Sequence, residues 1–300
     1  MVKRLLGALV WAGLAGLAAV ALNVAPASAE VFGQSVDGQV GLQNAVTPVA
    51  HSIHDFYNLV TTIIIVITLF VLGLLVYVMY RFSESRNPTP SRVTHNTLIE
   101  VLWTVLPIII LVIIAVPSFK LLNLQYAYPK ADLTIKATGY QWYWSHQYPD
   151  QGGFSFDSYM LDDEGRNELI EKGIDAPRNL AVDNEVVVPV NKVVHVLVTA
   201  EDVLHNWTIP AFGSKTDAVP GRLTATWFKA EREGVFYGQC SELCGINHAF
   251  MPIAVRVVSE ETFNKWVEAR KADDEDAANA IIHEAALALK AKRKVASVAN

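Results

Sequence analysis

The stretch QCSELCGINHAFM, residues 239–251, holds both cysteines of a 300-residue chain, and a histidine and a methionine follow them in the same loop. The thiolates of Cys240 and Cys244, the imidazole of His248 and the thioether of Met251 are soft donors, which select copper over calcium or magnesium. A mononuclear blue-copper site takes one Cys, two His and a weak axial Met, so this loop has one thiolate too many and one imidazole too few. His205, in DVLHNWTIPAF at the end of a predicted strand, lies 35 residues before Cys240 and supplies the second imidazole. With a carbonyl inside the loop, such as that of Glu242, the donors suit two coppers better than one, both thiolates bridging. Two cysteines in an exported domain also suit a disulfide, although a disulfide leaves His248 and Met251 without a purpose. Zinc is a weaker fit, since its structural sites rarely use Met and usually pair their cysteines as C-x-x-C.

The surrounding elements decide where such a metal would sit. The chain is 52% hydrophobic and 18% charged, too apolar for an ordinary soluble protein of this length. Residues 1–29 place Lys3 and Arg4 before an apolar run and an Ala27-Ser28-Ala29 end, the layout of a cleaved secretory signal. An exported segment, residues 30–55, follows. Phe56 to Tyr80 carries no charge and is long enough to cross a hydrocarbon core of about 30 Å. Leu98 to Phe119 reads as a second spanning helix, with Glu100 near its start and Pro107 and Pro117 inside, where neighbouring helices can satisfy the backbone groups a proline frees. Residues 56–122 thus form a transmembrane hairpin. Its connection carries Arg81, Arg86 and Arg92, whereas residues 30–55 hold no Lys or Arg, so the connection stays in the cytoplasm. Both mature termini and the metal loop are then exported.

Residues 123–270 switch to short runs rich in Val, Thr, Ile and aromatics. Alternation in KVVHVLVTA and IAVRVV, with turn residues between runs, predicts a small antiparallel sandwich or barrel. From 124 to 270 there are 13 Lys and Arg against 20 Asp and Glu, a balance that steers a basic soluble partner and does not suit nucleic acid. The charged, Ala-rich tail, residues 271–300, reads as an exposed helix or disordered end without chemistry of its own.

Two spanning helices, an exported β domain with QWYWS, and the run GQCSELCGINHAFMP resemble subunit II of the haem-copper cytochrome c oxidases, in a bacterial form with a signal peptide. The resemblance runs from about His51 to Trp266. It implies an α+β membrane protein whose helix hairpin precedes an all-β cupredoxin-like domain, a Greek-key sandwich or barrel. It also implies a binuclear CuA centre with His205, Cys240, Glu242 (through its carbonyl), Cys244, His248 and Met251 as ligands. The Glu242 carboxylate resembles the residue that helps bind magnesium at the seam with subunit I, and a hard oxygen donor suits that ion. Trp142 resembles the aromatic that receives the electron from cytochrome c, and Glu100 the carboxylate at the mouth of a proton channel shared with subunit I. Asp157, Asp183 and Asp202 match acidic positions that meet cytochrome c, while Gln147 stands where an acidic residue is often found. The implied function is to accept electrons from reduced cytochrome c and pass them to haem in subunit I, where oxygen is reduced to water with proton pumping. Partners are subunits I and III, and the location is the bacterial inner membrane with the CuA domain in the periplasm.

Blander readings exist for some of these residues. The tryptophan cluster suits a core or an interfacial belt, and Glu100 suits a snorkelling carboxylate. A membrane-anchored copper chaperone also uses Cys-x-x-x-Cys with a distant His, but it leaves Met251 unexplained. A quinol oxidase subunit keeps this architecture without copper, and the intact donor set argues against it.

Overall fold

The computed structural model describes residues 33–298, with side chains up to Lys292. The expected secretory signal, residues 1–29, lies outside the described residues. Helix α1, Pro48–Arg81, starts two turns earlier than the apolar block suggests, because Thr47 caps it by accepting from the Ala50 N–H at 3.0 Å and Pro48 suits the first turn. At 1.5 Å per residue its 34 residues reach about 51 Å, well past a ~30 Å core, so the turns carrying His51, His54 and Asp55 project beyond it. Helix α2, Thr97–Gln125, opens with a reciprocal cap. Asn96 Oδ1 accepts from the Ile99 N–H at 3.2 Å, and Glu100 Oε1 accepts from the Asn96 N–H at 3.2 Å. Both helices have a stretch of mean hydropathy near 3 (3.0 and 2.8) of which 0% is buried inside the chain. An apolar surface of that extent needs lipid or partner helices around it.

Ten strands follow: β1 Leu133–Tyr140, β2 Tyr143–Gln147, β3 Ser155–Ser158, β4 Val186–Pro189, β5 Val193–Ala200, β6 His205–Ile209, β7 Ser214–Ala218, β8 Thr224–Lys229, β9 Gly234–Gln239 and β10 Pro252–Val258. They form a five-stranded sheet in the order β3-β2-β1-β5-β8, a three-stranded sheet β4-β10-β9, and the hairpin β6-β7. The expected antiparallel sandwich is mostly antiparallel, with two parallel pairs, β1 with β5 and β4 with β10. Parallel neighbours need a long crossover, which β2, β3 and the intervening helix α3, Asp163–Glu171, supply between β1 and β5. The residue alternation of a strand reports its faces but not the direction of its neighbour.

Strand β5 shows the expected alternation, with Val194, Val196, Val198 and Ala200 turned into the core. Strand β10 does not: every residue in it is buried. Its outer face is covered by the C-terminal helices α4, Glu260–Lys271, and α5, Glu275–Val298, which pack on the β4–β10 side. There Arg256 forms a two-point ion pair with Glu185. The tail is accordingly a docked helix. Ala278 and Ile282 are buried, and Lys290 Nζ donates to Asp175 Oδ1 at 2.9 Å.

Hydrogen bonds lock the helix hairpin to the β domain. Thr47 Oγ1 donates to the Phe212 carbonyl at 2.7 Å, Trp227 Nε1 to the Gln125 carbonyl at 3.0 Å, and Tyr128 Oη to the Ala225 carbonyl at 2.6 Å. The segment before α1 runs along the sandwich, where Val46 is buried in the core and its N–H donates to the Ala211 carbonyl at 3.1 Å.

Candidate metal centre

The β9–β10 pairing sets Gln239 opposite Pro252, so the loop between them leaves and returns at one place in the sheet. Within it the Cys240 N–H donates to the Met251 carbonyl at 3.3 Å, and the Ser241 N–H ties the loop to β6 through the Asn206 carbonyl at 3.3 Å. His205, the first residue of β6, is thereby placed beside Cys240.

Cys240 and Cys244 are both free thiols, with sulfurs 3.9 Å apart. A disulfide would hold them at about 2.05 Å, whereas a metal bound at about 2.3 Å from each sulfur spans the observed gap. His205 Nδ1 stands 3.8 Å from Cys240 Sγ, and His248 Nδ1 stands 3.5 Å from Cys244 Sγ. Met251 Sδ lies 3.5 Å from Cys244 Sγ, and Cys240 Sγ donates to the Glu242 carbonyl at 3.3 Å. His205, Cys240 and Cys244 converge most tightly, their donor atoms all within 4.8 Å of one another. His248 meets this group through Cys244 from the partly exposed loop. Two thiols, two imidazole nitrogens, a thioether and a carbonyl thus face one small volume, a donor set that fits copper.

The electrostatics separate the two thiols. Burial works to raise Cys240, but hydrogen bonds with His205, with the Glu242 and Asn206 backbone and with His248 together outweigh it, and the thiol falls below the ordinary range. Cys244 is raised by burial and then by the charge of Cys240. One thiolate therefore forms readily, and the second needs a bound cation, so metal uptake releases protons.

His205 is oriented from behind. Its Nε2 meets Asp202 Oδ1 at 2.9 Å, which leaves Nδ1 facing the sulfurs. Asp202 also accepts from the Val203 N–H at 2.6 Å and from the Gln141 N–H at 2.7 Å. The ring lies over Gly139, where an added Cβ would come within 2.9 Å of it. Trp142 closes the other side: its indole Nε1 donates to the Cys244 carbonyl at 3.2 Å.

The remaining predicted residues are spread more widely. The Glu242 carboxylate is exposed on the loop. Asp157 lies exposed on β3, and the Asp183 carboxylate accepts from the Tyr159 and Asn184 N–H groups at 2.8 and 2.7 Å. Gln147 donates to the Gly153 carbonyl at 3.3 Å. Glu100 belongs to the cap of α2, at the opposite end of that helix from its hydrogen bond to the β domain at Gln125. Sequence reasoning missed the orienting contact of Asp202, although an acid three residues before a ligand histidine is a readable signal. It also missed Gln141 and Gly139, for which no local pattern exists.

Family models place the chain. Residues 133–258 match the periplasmic domain of cytochrome c oxidase subunit II, and residues 35–121 match its transmembrane domain. Cytochrome c oxidase subunit 2 of Cereibacter sphaeroides is 49% identical over 269 residues, covering 85% of this chain and 88% of that protein. The chain belongs to the cytochrome c oxidase subunit II family. A probable subunit 2 of Rickettsia bellii is 50% identical, covering 77% of this chain and 84% of the relative, and subunit 2 of Zea mays is 45% identical, covering 76% and 88%. The solved periplasmic domain of subunit II of cytochrome oxidase from Bradyrhizobium japonicum is 61% identical, covers 48% of this chain and 97% of that one, and superposes with a TM-score of 0.44. As a subunit II, this chain is a copper-binding membrane subunit of a haem-copper oxidase, with a periplasmic cupredoxin-like domain after its two apolar helices, and it associates with other oxidase subunits.

Proposed function

We propose that the chain is the electron-accepting subunit of its oxidase. Trp142 would receive electrons from a reduced cytochrome c, and the sulfur cluster would hold a binuclear copper centre able to carry them on to haem in subunit I. The observation that carries this reading is the pair of free thiols 3.9 Å apart, each with its own imidazole at 3.8 or 3.5 Å. When bound, paired copper supplies a one-electron carrier whose charge is shared between metals and sulfurs.

His205, Cys240, Cys244, His248, Met251 and the Glu242 carbonyl are the ligands in this reading. The loop ties to Asn206 and between Cys240 and Met251 hold these donors in place, so little must rearrange when charge changes. Trp142 joins the protein surface to the Cys244 carbonyl through its indole N–H. The exposed Glu242 carboxylate suits a magnesium ion shared with subunit I. Asp157, Asp183 and Asp202 supply negative charge around Trp142 for a basic cytochrome c, steering that weakens with salt. Glu100, at the capped start of α2, serves the mouth of a proton path with subunit I, and subunit III completes the assembly. The arginine-bearing connection lies in the cytoplasm and both mature termini in the periplasm.

Electron paramagnetic resonance on the detergent-solubilised full-length chain, loaded with copper and partly reduced, tests this reading. Hyperfine structure from two equivalent copper nuclei sharing one unpaired electron is expected. A single-nucleus pattern, or a Cys240–Cys244 disulfide that excludes copper, would favour the chaperone reading instead.

A further inference from the structure

Gln141 sits in the turn between β1 and β2, exposed, directly before Trp142. An exposed glutamine ordinarily leaves its carboxamide in water, since fixing the side chain costs rotamer freedom. Here it reaches inward. Nε2 donates to the Cys244 carbonyl at 2.8 Å, the same oxygen that accepts the Trp142 indole N–H at 3.2 Å. Its backbone N–H donates at 2.7 Å to Asp202, whose other oxygen holds His205 Nε2 at 2.9 Å. One residue outside the donor set therefore contacts Cys244 directly and His205 through Asp202. The approach depends on Gly245, at φ +121°: a Cβ there would fall 2.9 Å from the Trp142 ring and 3.1 Å from Gln141 Nε2.

We propose that Gln141 is a positioning residue for electron acceptance: with Trp142 it clamps the Cys244 carbonyl between two N–H donors, fixing the indole on a hydrogen-bonded route into the Cys244 thiolate. That route runs from the indole N–H through the carbonyl, Cα and Cβ of Cys244 to Sγ. Without the carboxamide, the carbonyl keeps a single donor on a partly exposed edge, and water competes for it. The indole then samples orientations in which its N–H leaves the oxygen. The inference rests on Trp142 being the residue that receives the electron.

Gln141→Met keeps length and removes the donor, while Gln141→Glu keeps shape and turns the donor into an acceptor. Both leave the backbone N–H on Asp202. In the metal-free full-length chain in detergent, nitrogen-15 indole resonances should show Trp142 N–H exchange roughly fivefold faster in either variant, the equivalent of one lost hydrogen bond. In the assembled oxidase with unchanged copper content, reduction of the centre by a soluble cytochrome c should slow by about the same factor with KM unaltered. Unchanged indole exchange and unchanged reduction in Gln141→Met, alongside slowed reduction in Trp142→Phe, would overturn the clamp and leave Trp142 as acceptor. Loss of copper from Gln141→Met would also overturn it, making the residue a support for the metal alone. Unslowed reduction in Trp142→Phe would overturn the Trp142 assignment and the clamp with it.

Discussion

His205 and His146 are both sealed inside the same sandwich, yet their surroundings drive them in opposite directions. His146, on β2, has Ser158 Oγ at 3.1 Å and the Phe156 ring beside it, and burial lowers its pKa to about 3. Burial also acts to lower His205, but hydrogen bonds with Cys240 and Asp202 outweigh it and the net shift is upward. Enclosure is therefore common to a core histidine and to the histidine that faces the sulfur cluster. What separates them is a carboxylate on one ring nitrogen and a thiol on the other.

The sharpest way to break this contrast is to remove the sulfur side. Cys244→Ser should weaken copper binding by on the order of a hundredfold or more and abolish any two-copper stoichiometry, measured by metal analysis of the full-length chain. Retention of two coppers per chain would rule out bridging thiolates. Removing the carboxylate side should cost less. Asp202→Asn is expected to weaken copper affinity by roughly ten- to a hundredfold, while Asp157→Asn, which touches no ligand, leaves it unchanged in competition titrations. Equal effects would place Asp202 with the surface acids only. Gly139→Ala perturbs His205 sterically. A drop in copper affinity near tenfold is expected together with an overpacking loss of about 1–3 kcal/mol in denaturant melts, and a silent variant would mean that the ring has room to move.

The mildest test addresses His146. Its folded state is neutral down to about pH 3 while the unfolded chain takes up a proton near 6.5, so acid favours unfolding across that window. The slope is at most about 1.4 kcal/mol per pH unit, and the stability is fully present above 6.5. His146→Phe should flatten this part of the curve in metal-free chains compared at pH 7.5 and about 5. Parallel losses in both proteins would show that another group carries the acid sensitivity.

Much of the molecule is legible in its residues because the strongest signals are local. Long uncharged runs announce α1 and α2, and the tight spacing of Cys240, Cys244, His248 and Met251 gathers donors within one loop. His205, named because a loop with one imidazole asks for another, does lie beside Cys240. What stays hidden depends on residues far apart in the chain. The parallel β1–β5 and β4–β10 pairs follow from crossovers, and β10 loses its alternation only because α4 and α5 cover its second face. Residues 271–300 look polar enough to be a loose end, yet Ile282 finds a buried place that no count of charges reveals. Gln141 acts through its bonds to Cys244 and Asp202 and Gly139 through its contact with His205, which leave no periodic trace.

The hydrogen bonds joining the helix hairpin to the β domain, Thr47 to Phe212, Trp227 to Gln125 and, just past α2, Tyr128 to Ala225, grip the sandwich at the ends of both helices. A single tether would let the domain nod above the lipid like a buoy. Attachments at the ends of both α1 and α2 act as the legs of a tripod and hold the sulfur-bearing domain at one height above the helix hairpin. Since electron transfer fades steeply with separation, a fixed altitude gives every turnover the same gap to cross, whatever the thermal rocking of the surrounding membrane.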